Sequence, residues 1–135
     1  MRRKKGTRLF FTTINNVKVD FVHTFEPFIL SDQLIENIRF AAVEDIIALE
    51  LNAITGRGRK KDFWDLHELL NHYTFEQFMG FYHLKYPQHS PMMILKSIPY
   101  FVEADEDEDP NCFKKQNREK IKKTILQEFN KYIKS

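Results

Sequence analysis

The sequence predicts an α+β fold in a single domain, residues 1–135: a small β region over residues 6–42, then a bundle of about five helices over residues 43–135. Three observations predict it. Two β-rich runs separated by Asn15-Asn16 open the chain, the apolar spacing turns helical from Val43 onward, and 135 residues suit one domain. Because the strands precede the helices and do not alternate with them, the pattern is α+β.

Taken in order, residues 9–14 (LFFTTI) are rich in β-formers and residues 17–22 (VKVDFV) alternate, so the Asn15-Asn16 pair reads as the turn of a β-hairpin. Val17, Val19 and Phe21 then share one face of the second strand, with Lys18, Asp20 and Val22 on the other. Around residues 25–28 (FEPF) the chain should be irregular, and residues 38–40 suit a short edge strand. Ile46, Ile47, Leu49, Leu51 and Ile54 line a first helix, with Glu44 and Asp45 in its positive first turn and Gly56 and Gly58 at its end. Phe63, Leu66, Leu69 and Leu70 predict a second helix over residues 61–72. Thr74 with Gln77 is a capping-box pair that starts a third, carrying Phe75, Phe78, Met79, Phe81 and Tyr82 and ending before Pro87. This aromatic stripe has the spacing of a buried face. Ser90-Pro91 opens a short fourth helix, and residues 114–133 form a fifth with Ile121, Ile125, Leu126, Phe129 and Ile133 inward.

Composition narrows the class of protein. With 42% hydrophobic residues and 13 Phe the chain can build a core, which excludes a wholly disordered protein. No apolar run approaches the ~18–20 residues of a membrane span, and the basic start leads into no apolar signal core. One cysteine, Cys112, excludes an internal disulfide and a Cys-based zinc cluster. These features read as a soluble, cytoplasmic protein.

Near-neutrality, +2 overall, hides four blocks: basic residues 2–5 and 57–61, six acids in residues 103–109, and a tail over 114–134 with eight basic residues against two acids. Such blocks are commonly solvated surface, and the net charge gives no broad nucleic-acid footprint. A local phosphate site remains open at Arg57, Arg59, Lys60 and Lys61, a basic turn followed by Asp62 and Asp65 on one face of the next helix. Those acids either complement the helix dipole or hold the basic side chains in place for phosphate. Asp20, inside an apolar strand, either faces water or offers hard oxygen to Mg²⁺. The five histidines include no HExxH, no Gly-rich phosphate loop occurs, and Cys112 has no local activating group.

Several stretches together resemble the later part of the AbiEii/AbiGii-type nucleotidyltransferase toxins of the polymerase-β-like superfamily. They are residues 17–22 (VKVDFV), 38–42, 44–70 (EDIIALELNAITGRGRKKDFWDLHELL), 82–86 and 97–104 (SIPYFVEA). The most specific part runs from Glu44 to Leu70. The resemblance implies a bacterial toxin of a toxin–antitoxin pair linked to abortive infection, moving nucleotides from NTP to an acceptor such as tRNA.

It also implies a catalytic centre of three Mg²⁺-binding carboxylates, of which Asp20 matches the third. Lys61, Asp62 and Asp65 would join the catalytic set, and Arg57, Arg59 and Lys61 would hold nucleotide or RNA phosphate. The early Gly-Ser…Asp-x-Asp segment has no counterpart before residue 17, and Glu50 stands where the family carries Lys in D-x-x-A-x-K-L-x-A. The chain is therefore expected to be the C-terminal portion of such an enzyme and inactive alone. The alternative is a non-enzymatic module that docks an antitoxin or the missing N-terminal half, and a weaker third reading is an RNA-binding remnant acting through the 57–61 turn.

Overall fold

The computed structural model describes residues 8–57, 59–100 and 114–135. The expected hairpin is present: β1 (Arg8–Ile14) pairs antiparallel with β2 (Val17–His23), Ile14 opposite Val17 and Phe11 opposite Asp20. Asn15 and Asn16 sit at φ 50° and 63°, the left-handed pair that a two-residue type I′ turn requires and that Asn tolerates better than other residues with a side chain. The same device recurs. Glu36 and Asn37, at φ 50° and 65°, turn β3 (Gln33–Ile35) onto β4 (Ile38–Phe40), so the expected short strand at 38–40 has a partner that the sequence reading did not place.

Five helices follow: α1 (Val43–Arg57), α2 (Lys60–Leu69), α3 (Phe75–Lys85), α4 (Met92–Ser97) and α5 (Arg118–Lys134). Gly56 does not stop α1, which continues through it to Arg57; Gly58, the other expected stop, lies outside the described residues. The capping box at α3 forms as expected, with Thr74 Oγ1 accepting from the Gln77 N–H at 3.2 Å and Gln77 Oε1 accepting from the Thr74 N–H at 2.9 Å. Asn117 starts α5 a turn later than its periodicity suggests, its Oδ1 accepting from the Glu119 and Lys120 N–H groups.

α1 is the hub, packed by α2, α3 and α4, and α5 lies across α2 and α3. Ile47, Ala48 and Leu51 from α1, Leu66 from α2, Phe78 from α3, Ile94 from α4 and Ile125 from α5 are completely buried. The aromatic stripe of α3 belongs to this core, as its spacing implies. One expected core position is corrected on α5: Ile133 is 55% exposed, because the covered strip of the helix is built on Ile121, Ile125 and Phe129, with Leu126 and Tyr132 packed against the core at its margins. Among the described residues no helix is long and apolar enough to cross a membrane.

The β region stands apart from this core. Leu9, Phe10, Phe11, Ile14, Val17 and Phe21 are all at least half exposed, and their side chains occupy both faces of the ribbon. Each sheet has two strands, so the outer edges of β1 and β2 carry no strand among the described residues.

Candidate functional site

The residues singled out from the sequence fall in two places, the β2 strand and the elbow between α1 and α2. On β2, Asp20 projects from the face it shares with Lys18 and Val22. Lys18 Nζ lies 3.8 Å from an Asp20 carboxylate oxygen, with 75% and 38% of the two side chains exposed, so water screens most of that attraction. A Mg²⁺ site needs several oxygen ligands. Among the described residues no group of three His, Cys, Asp or Glu side chains gathers to hold a metal. Asp20 as placed does not fit a Mg²⁺ ion by itself.

At the elbow, α1 ends on Arg57, whose side chain lies outside the described residues, as does Gly58. Arg59, in extended conformation, is the first residue after the break, and its N–H donates to Asp62 Oδ2 at 2.9 Å. The buried Asp62 thereby satisfies one of the orphan donors at the start of α2. Lys61 and Asp65 are exposed, and Lys60 is buried.

Behind these residues lies Glu50 of α1. Burial, then the charges of Asp65 and Asp62, push its carboxyl up to about 7 against the pull of Lys61. Its Oε2 is buried with no hydrogen-bond partner among the described residues. Burial and Asp62 also raise Asp65, again opposed by Lys61. The elbow therefore sets exposed Arg59 and Lys61 in front of three neighbouring carboxylates. Such a group takes up a proton near neutral pH and weakens the local potential for phosphate.

A second cluster, missed at the sequence level, ties the β region to the bundle. Asp45, in the first turn of α1, accepts from Lys85 Nζ at 2.9 Å and from the Ile29 and Leu30 N–H groups at 2.9 and 3.1 Å. Lys85 also donates to the Pro27 carbonyl at 3.2 Å and stands 5.3 Å from the Phe28 ring centroid. Burial raises the Asp45 carboxyl, but the Ile29 N–H, Lys85 and the Leu30 N–H outweigh it and hold the group below its ordinary value. An acid in a first turn and a lysine in a last turn both look like dipole partners, which concealed this pair. His67 of α2 is 7% exposed beneath α5, and burial, then Lys120, lower its pKa.

The family model for the nucleotidyl transferase AbiEii toxin, type IV toxin–antitoxin system, matches residues 3–132. The chain belongs to this family. No curated protein and no solved structure matches it. Within the AbiEii family the chain is a nucleotidyltransferase toxin domain, and membership implies a cognate antitoxin in general terms. In this AbiEii domain the elbow candidates Lys61, Asp62 and Asp65 come together around Glu50. Asp20 lies on the separate β1–β2 ribbon, on which no helix packs broadly among the described residues.

Proposed function

We propose that this AbiEii domain is the C-terminal part of a nucleotidyltransferase and transfers NMP from NTP to an RNA acceptor only after another polypeptide segment completes its sheet. The observation that carries the proposal is the β1–β2 ribbon, with apolar side chains exposed on both faces and, among the described residues, no strand paired to either outer edge. Strands that are apolar on both faces belong in the interior of a covered sheet, where they have neighbours at their edges and layers above and below. The completing segment is the N-terminal half that carries Gly-Ser and Asp-x-Asp. Its carboxylates would join Asp20 around Mg²⁺, while Arg57, Arg59 and Lys61 would meet phosphate and Asp62 with Asp65 would orient those cations.

The test is to mix the chain with the N-terminal half of an AbiEii-family protein that retains Gly-Ser and Asp-x-Asp, and to follow transfer of label from NTP to RNA. Transfer by the mixture that is lost with Asp20→Ala is the expected result. A mixture that forms no complex, or one that Phe10→Asp/Phe21→Asp leaves intact, contradicts it.

One observation favours a second reading. Glu50 adds a third carboxylate to the elbow, and three acids behind Lys61 oppose triphosphate binding. In that reading the domain docks its antitoxin through the ribbon without catalysis, within a cytoplasmic abortive-infection system. Antitoxin binding that survives Asp20→Ala, with no transfer under any pairing, would favour it.

A further inference from the structure

The basic tail noted in the sequence resolves into one ordered surface. At 100° per residue, Ile121, Ile125 and Phe129 mark the buried side of α5. Lys120, Lys123, Gln127, Asn130, Lys131 and Lys134 then fall on the opposite side, and all six are exposed. The stripe extends over roughly 21 Å at 1.5 Å per residue. No carboxylate stands within it. The two acids of the helix lie on its flanks, where Glu119 pairs with Arg118 at 3.8 Å and Glu128 with Lys131 at 2.7 Å. The face holds no apolar side chain either.

That composition discriminates between partners. A protein-docking face needs a desolvated apolar or aromatic centre, and this face has none. Cations interleaved with amide side chains suit phosphate oxygens, which accept from Lys, Asn and Gln and require no burial of apolar area. We infer that the outer face of α5 is a binding surface for the phosphate backbone of a nucleic acid, separate from the elbow and from the β1–β2 ribbon. Four lysines along one helix engage about four phosphates, so affinity falls steeply with salt.

The experiment uses the full chain, a fluorescein-labelled mixed-sequence RNA 20-mer and a polyglutamate peptide of equal charge, with anisotropy read from 50 to 200 mM salt. Expected is RNA binding whose log–log salt slope is roughly −3, as neutralising about four single-strand phosphates gives. In Lys120→Gln/Lys123→Gln/Lys134→Gln the slope should shrink to about −1 and affinity at 50 mM salt should drop at least tenfold. Substituting exposed lysines leaves the core intact, and circular dichroism and the melting temperature verify the fold. Lys96→Gln, an exposed lysine on α4, should leave the slope unchanged. RNA binding that the triple variant does not alter, a slope that collapses with Lys96→Gln, or polyglutamate bound as tightly as RNA would each overturn the inference. None of these outcomes depends on nucleotide transfer, so failure here leaves the sheet-completion proposal standing.

Discussion

Lys85 Nζ lies 2.9 Å from Asp45 Oδ1, with 1% and 0% of the two side chains exposed, and this pair joins the end of α3 to the start of α1. Through the Ile29 and Leu30 N–H groups and the Pro27 carbonyl it also grips the segment that follows β2. A buried ion pair recovers its desolvation cost only when its remaining hydrogen-bonding capacity is used, and here backbone groups use it. The consequence is positional. The ribbon carrying Asp20 leads directly into a segment clamped to the helical hub.

Removing one partner should therefore be far worse than removing both. Asp45→Asn and Lys85→Met each leave a buried group uncompensated and should cost about 3–5 kcal/mol in urea unfolding, whereas Asp45→Leu/Lys85→Met should recover much of that loss. Single variants as stable as the parent chain would mean that the pair is more open to water than its geometry indicates.

Glu50 gives a pH signature whose sign is fixed by its raised value. Below its ordinary 4.5 the carboxyl is protonated folded or unfolded; between there and about 7 only the folded chain keeps the proton. Stability contributed by this group thus falls as pH rises through that window and is constant above it. His67, lowered from 6.5, acts in the opposite sense in the same window, since the unfolded chain protonates first on acidification. Subtracting the Glu50→Gln profile from that of the parent chain isolates the carboxylate. Partial exposure of Glu50 reduces the effect by solvent screening. The Gln variant should melt roughly 3–6 °C higher at pH 7.5 and match the parent at pH 4.5. Glu50→Lys, a cation set beside Asp62 and Asp65, should also raise the melting temperature at pH 7.5.

Phe129 and Ile133 lie on the same side of α5 by sequence spacing, yet their environments differ. Phe129 is 4% exposed, its ring centroid 5.5 Å from that of Phe75 in an edge-on arrangement, while Ile133 is 55% exposed. Phe129→Ala should cost about 3–5 kcal/mol and Ile133→Ala within about 0.5 kcal/mol, read by chemical denaturation.

The α+β order, the Asn15-Asn16 turn and the capping box at Thr74 were legible because each rests on local chemistry: two residues that accept positive φ, and a hydroxyl three residues before a glutamine. Ile133 shows where that reasoning stops. Periodicity says which residues share a side of a helix, but the width of the neighbouring surface decides how many of them are covered. Asp45 and Lys85, 40 residues apart, meet only through the packing of α1 on α3, and each alone resembles an ordinary dipole partner. For the candidate site, spacing along α2 places Lys61, Asp62 and Asp65 together. Their proximity to Glu50 requires the elbow to fold back, which no local pattern encodes.

The most direct measurement is transfer of label from NTP to RNA, with Mg²⁺, by the purified chain alone beside its Asp20→Ala variant. An incomplete sheet predicts no transfer by the parent chain above the level of the variant. Label transferred by the chain alone and abolished by Asp20→Ala would contradict the requirement for a completing segment.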